Sequence, residues 1–219
     1  MTDFALARRN MIDSQLRPNR VTNARLLAAI EEVPRERFLP EPLRAVAYAD
    51  DDVPLGNGRF LMEPMVLARL IQALQCQPDD RALVVASGRG YGAAVLARLV
   101  KSVVAVEGDP MLAAAAQQTA NELGVERVRQ IVGPMEQGAA EAAPFDAILI
   151  EGAVKVVPQA ILDQLGEGGR LGTVLAGPPG ALGVAQVFVK EGGVSSGRAL
   201  FEAGTSSLPG FAPPPRFTF

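Results

Sequence analysis

Apolar positions along this chain follow a helical period first, lose it, and then settle into a strand–helix alternation. Phe4, Leu6, Met11, Ile12 and Leu16 fall at loosely helical intervals, and Pro18 ends the run. Leu26, Leu27 and Ile30 share one face of a second predicted helix over residues 23–33, with Thr22 as its cap and Pro34 past its end. From Arg35 to Pro64 the period dissolves among Pro40, Pro42, Pro54, the triplet Asp50-Asp51-Asp52 and Gly56-Asn57-Gly58. An irregular segment this long is uncommon unless it works, so a substrate or lid region is expected here. Pro64 then suits the first turn of a helix that buries Met65, Val66, Leu67, Leu70, Ile71 and Leu74.

Beyond Pro78-Asp79-Asp80 the predicted elements alternate: strands over 82–86, 102–106, 128–132 and 147–150, and helices over 91–100, 110–123 and 158–165. Apolar β-branched runs separated by helices imply a parallel sheet covered on both faces. The end of the chain differs. A strand is expected from Gly168-Gly169-Arg170 to about Leu175, then strands over 184–189 and 199–203 around Gly-rich connections, as antiparallel additions at the sheet edge. Phe217-Thr218-Phe219 is expected as a last strand segment. The fold class is therefore α/β: a doubly wound, mostly parallel, seven-stranded sheet with a helical N-terminal extension and an antiparallel C-terminal edge.

Composition narrows the chemistry. With 219 residues, 48% of them hydrophobic and 21% charged, the chain can bury a sizeable core. A net charge of −3 without any Lys/Arg cluster speaks against nucleic acid as a partner. No apolar run reaches the roughly 20 residues that span a bilayer, and Met1 to Asp13 lacks a signal-type stretch, so a cytoplasmic location without a membrane partner is expected. The single cysteine, Cys76, lies in an apolar helical run and reads as a core residue. The absence of histidine removes imidazole acid–base catalysis, Ser-His-Asp and Cys-His nucleophiles and histidine-based metal sites. No metal site is expected, and nothing in the pattern specifies an oligomeric state.

The chemically suggestive stretch is Leu83 to Leu99, where a buried strand passes through Ala86-Ser87-Gly88-Arg89-Gly90-Tyr91-Gly92 into a helix. Such a turn aims backbone N–H groups and a helix N-terminus at a nucleotide-like ligand. Glu107 ends the next predicted strand nineteen residues after Gly88, where a doubly wound fold places the acid that accepts ribose hydroxyls. Gly133-Pro134-Met135 follows the third strand, at an adenine edge, and Glu151 closes the fourth. A nicotinamide-dinucleotide protein shares the glycine turn and the spaced acid, but Gly88-x-Gly90 followed by Tyr91 fits that class less well and no hydride chemistry is evident.

Several separated segments, in order, resemble the protein-L-isoaspartate O-methyltransferase family: residues 33–40, Ala47-Tyr48-Ala49-Asp50, Pro54-Leu55-Gly56-Asn57-Gly58, residues 90–97, residues 143–148 and residues 164–171. The resemblance implies a class I methyltransferase fold over residues 64–219, with residues 1–63 as helical extension and lid loop. It also implies S-adenosylmethionine as cofactor and isoaspartyl carboxylates of damaged proteins as substrate. By position, Ser87, Gly88, Gly90, Tyr91, Glu107, Gly133, Met135 and Glu151 would bind the cofactor. Asp50, Leu61 and Met62 would face the substrate, Met62 standing where the family carries a substrate-positioning hydroxyl.

The family pattern is also broken at defined positions. The acid usual in the first strand is Val84, the first glycine of the turn is Ala86, and the acid that would bond the adenine amino group is Pro134. Arg59-Phe60-Leu61-Met62 replaces Gln-Thr-Ile-Ser, and Glu151 stands in place of a common threonine. Two lost charge-assisted hydrogen bonds, at about 1.5–3 kcal/mol each, lower cofactor affinity by roughly two to four orders of magnitude. Two functions are compatible with this: a methyltransferase of the family, and a member that keeps the fold as a binding or scaffold protein.

Overall fold

The computed structural model describes residues 3–211; the strand expected over 217–219 lies outside them. A helix α1 (Phe4–Met11), continued by a π-helical turn to Leu16, packs with α2 (Ala24–Glu32). Asn23, not Thr22, caps α2: its side chain accepts from the Leu26 amide at 3.1 Å. The amides of Thr22 and Asn23 are both held by Gln72 Oε1, at 2.8 and 3.0 Å, which fixes the entry to the helix from the later helix that carries Gln72.

The segment expected to be an irregular loop has structure. Two short 3-10 helices (Arg35–Phe38 and Glu41–Val46) lead into an antiparallel hairpin, β1 (Val53–Gly56) and β2 (Arg59–Leu61), turning at Asn57 and Gly58 with positive φ. Pro54 is compatible with β1 because that strand pairs only with β2 and leaves its other edge free of a ladder. Helix α3 (Pro64–Leu74) starts on its proline, as expected, and stops at Gln75 in a left-handed conformation.

The main sheet contains β3 (Arg81–Val85), β4 (Ser102–Glu107), β5 (Val128–Val132), β6 (Phe145–Val154), β7 (Leu165–Leu175), β8 (Gly183–Glu191) and β9 (Val194–Ala203), in the spatial order β5-β4-β3-β6-β7-β8-β9. The first five are parallel, and β8 and β9 add antiparallel at the edge. The crossover elements include α4 (Tyr91–Leu96), α5 (Pro110–Glu122) and α6 (Gln159–Leu162), and α4 and α6 are shorter than the sequence pattern suggests. Strand β6 runs past Glu151 to Val154, so this residue lies within the strand and does not close it. Strand β7 begins at Leu165, upstream of the glycine pair, and β9 begins directly after Gly192-Gly193.

Period-two alternation distributes the central strands between two cores. Ala82 and Val84 join the cluster formed with α1, α2, α3 and α4, while Leu83 and Val85 join the opposite one with Ile148, Ile150 and Ile161. Because β3 pairs with β4 on one side and β6 on the other, the chain reverses direction of travel across the sheet there, leaving the C-terminal end of β3 as the crevice of the fold.

Candidate cofactor and substrate site

The glycine turn sits at that crevice. After β3, Ala86 takes a left-handed φ of 61°, followed by Gly88 at 54° and Gly90 at 90°. An alanine there carries strain that the glycine it replaces would not. The turn is closed by the Gly90 amide donating to the Ser87 carbonyl at 2.8 Å, and Gln130 Nε2 donates to Ser87 Oγ at 3.2 Å.

Glu107, at the end of β4, is fully buried, and its carboxylate binds two kinds of donor. The amides of Gly88 and Asp109 reach Oε2 and Oε1 at 2.7 and 3.1 Å. The Arg59 side chain uses the remaining direction on each oxygen, Nη2 to Oε2 at 2.9 Å and Nε to Oε1 at 3.2 Å, and Nη2 also donates to the Ala86 carbonyl at 2.5 Å. Arg59 is itself only 2% exposed, so this is an ion pair removed from water. It comes from the hairpin, which lies over the turn: Leu55 packs against Gly88, and Asn57 Nδ2 donates to Asp109 Oδ2 at 2.8 Å.

The other expected site residues separate into groups. Met135 is buried, and its side chain packs 3.6 Å from where a Cβ on Gly108 would stand, beside Glu107. The Gly133 amide donates to the Glu107 carbonyl. Glu151 is buried against α4, where a Cβ on Gly92 would collide with its Oε1. Burial raises the Glu151 carboxyl to about 8, against the opposing pull of Arg59 and Arg35, so it carries a proton at neutral pH. Tyr91 turns away from this group into the core of the N-terminal extension, edge-on to Phe38 at 5.5 Å and under the Arg35 guanidinium at 4.9 Å. Leu61 and Met62 are buried in the same core, while Asp50 is exposed.

Three residues outside the expected set organise the site. Arg35, fully buried, donates to the carbonyls of Ala47 and Met62, each at 2.6 Å, which ties the 3-10 segment to the residue after β2. Asp52 bonds the Glu63 amide with one oxygen, and with the other the Thr205 hydroxyl and Ser206 amide near the end of the described chain. Arg59 is the third, and its position two residues before Leu61 on one strand face is the only local signal that it points inward.

A family model for protein-L-isoaspartate(D-aspartate) O-methyltransferase matches residues 7–196. The chain belongs to this family. Protein-L-isoaspartate O-methyltransferase of Methylorubrum populi is 44% identical over 180 residues, which cover 82% of this chain and 83% of that protein. Its counterpart in Opitutus terrae is 39% identical over 186 residues, covering 85% and 79%. A solved protein-L-isoaspartate O-methyltransferase superposes with a TM-score of 0.80 at 26% identity, covering 93% of this chain and 67% of that one. A Plasmodium falciparum structure of the same description, in complex with S-adenosyl-L-homocysteine, superposes at 0.77 with 20% identity over 96% of this chain and 100% of its own; at that identity it speaks for the fold.

S-adenosylmethionine is the cofactor of this methyltransferase family, and with Arg59 seated on Glu107 the residues as arranged here leave no acceptor for its ribose. Both Glu107 oxygens are saturated by backbone and Arg59 donors, Val84 is buried in the core, Pro134 offers no acid, and Met135 lies against Gly108.

Proposed function

We propose that this chain is a cytoplasmic protein-L-isoaspartate O-methyltransferase, transferring a methyl group to isoaspartyl carboxylates in damaged proteins. The observation that carries the reading is the extent of the family match, which begins in the N-terminal extension, passes through the hairpin and continues into β9. The likeness thus includes the segment that covers the crevice, beyond a nucleotide-binding core that many folds share. Methylation of an ionised carboxylate asks mainly for alignment and exclusion of water. Accordingly, the lack of histidine in this chain is no obstacle. The test is incorporation of labelled methyl from S-adenosylmethionine into an isoaspartyl peptide, with the aspartyl peptide as control. Incorporation specific to the isoaspartyl form is expected; none at millimolar cofactor would overturn the reading.

A second reading, a family member that works as a binding protein without cofactor, is favoured by one observation: Glu107 has no acceptor direction left for a ribose. Calorimetric titration with S-adenosylhomocysteine separates the two, because a binding protein of this kind releases no heat on that titration.

A further inference from the structure

We propose that Arg59 is the residue that sets cofactor access in this chain, its guanidinium occupying at Glu107 the two acceptor directions that a nucleoside's vicinal hydroxyls require. The inference rests on the methyltransferase reading for the identity of the nucleoside, and on geometry for the role of Arg59.

Each oxygen of Glu107 accepts one backbone amide, from Gly88 or Asp109, and one Arg59 N–H. The Gly88 amide belongs to the glycine turn and the Asp109 amide to the start of α5, and both stay with their backbone. Removing Arg59 frees one direction on each oxygen, the arrangement that two adjacent hydroxyl donors satisfy. Bidentate pairing of a guanidinium with a carboxylate is among the stronger charge-assisted contacts, so an incoming diol competes with a well-made pair. Charge acts in the same sense. Arg59 neutralises Glu107, so the crevice loses the buried negative charge that would otherwise attract a cationic ligand. Arg59 Nη1 and Glu151 Oε1 are both buried without hydrogen-bond partners among the described residues. The pair therefore closes the crevice without completing its polar network, unlike a purely structural ion pair with every donor satisfied.

The hairpin gives the closure its mechanical basis. Arg59 lies on a strand of three residues that pairs only with β1, and it reaches the ends of β3 and β4 together through Ala86 and Glu107. One side chain thereby fastens the cover to the crevice.

The experiment measures S-adenosylhomocysteine and S-adenosylmethionine affinity by calorimetry for the wild type, R59Q and R59K, with circular dichroism confirming the fold. R59Q should bind S-adenosylhomocysteine at least tenfold more tightly than the wild type, and the gain for the cationic S-adenosylmethionine should be larger. R59K keeps a cation but can bond only part of the carboxylate, so it should fall between; it carries the test if R59Q does not fold. In the wild type, the Arg59 Nε–H resonance should lose its exchange protection as S-adenosylhomocysteine is added. Affinities within twofold of wild type in a folded variant, absence of binding in both variants, or an Nε–H signal unchanged at saturating ligand would each overturn the proposal. Methyl incorporation by the wild type is scored separately, so failure of the proposed activity and failure of the Arg59 role are distinguishable.

Discussion

Asp52 and Ser206 are 154 positions apart in sequence and joined by a 2.9 Å hydrogen bond, the Ser206 amide donating to Oδ2, which also accepts from the Thr205 hydroxyl at 2.8 Å. The segment so tethered runs on across the end of β6: the Ala153 amide donates to the Ser206 carbonyl, the Leu208 amide donates to the Ala153 carbonyl, and Phe211 is buried in the core. Asp52→Ala removes three accepted hydrogen bonds at once and should cost about 1–3 kcal/mol. Amide exchange at Ser206 and Leu208 should accelerate more than exchange in β3 or β4. Equal protection at Ser206 in wild type and variant would show that the tether does not hold this segment.

Glu151 makes stability depend on pH in a direction opposite to that of most carboxylates. Burial holds its folded pKa near 8, above the ordinary carboxylate value, so the folded state binds the proton more tightly. Its contribution is fully present below the unfolded pKa of about 4.3 and is lost as pH rises toward 8. Glu151→Gln keeps the shape and cannot ionise. Between pH 5 and 8 its melting temperature should therefore gain steadily on that of the wild type. Parallel melting curves across that range would mean that Glu151 does not hold a proton in the folded protein.

Ala86 is a left-handed residue that is also buried. Replacement by glycine relieves about 1–2 kcal/mol of backbone cost but forfeits burial of a methyl group and adds unfolded-state entropy, and these losses have a similar total. Ala86→Gly should thus change stability in urea by less than about 1 kcal/mol. Ala105→Gly, in the middle of β4, has no strain to relieve and should lose more. Equal losses in the two variants would contradict a strained Ala86.

Burial pushes the Cys76 thiol up to about 12, so the folded protein presents no thiolate at pH 8. A disulfide reagent should titrate Cys76 only after denaturation. Modification of the native protein at the rate of a free thiol would place the side chain at the surface.

The elements and their order were legible because they rest on local physics. Buried β-branched runs and proline-started helices declare themselves within a few residues, and the interior reading of Cys76 agrees with its burial. The hairpin was hidden: two strands of three and four residues among prolines and glycines are too short for a period to emerge. The cap of α2 was misassigned for a different reason, since Thr22 and Asn23 are adjacent and both good cap residues, so residue type alone does not choose between them.

The site divides in the same way. The sequence by itself determined the family, the parallel sheet, the glycine turn and the acid at its shoulder, since each is carried by residue types at short spacing. Only the tertiary structure decided what that acid does here. Its partner Arg59 is 48 positions distant on a separate hairpin, and an ion pair between them depends on how the hairpin folds back over β3 and β4. Tyr91 shows the same limit: its place after the glycines is local, whereas its packing against Phe38 and Arg35 is a property of the extension above it. Periodicity and spacing specify elements and motifs, while long-range pairing selects which of a motif's groups stay free to meet a ligand.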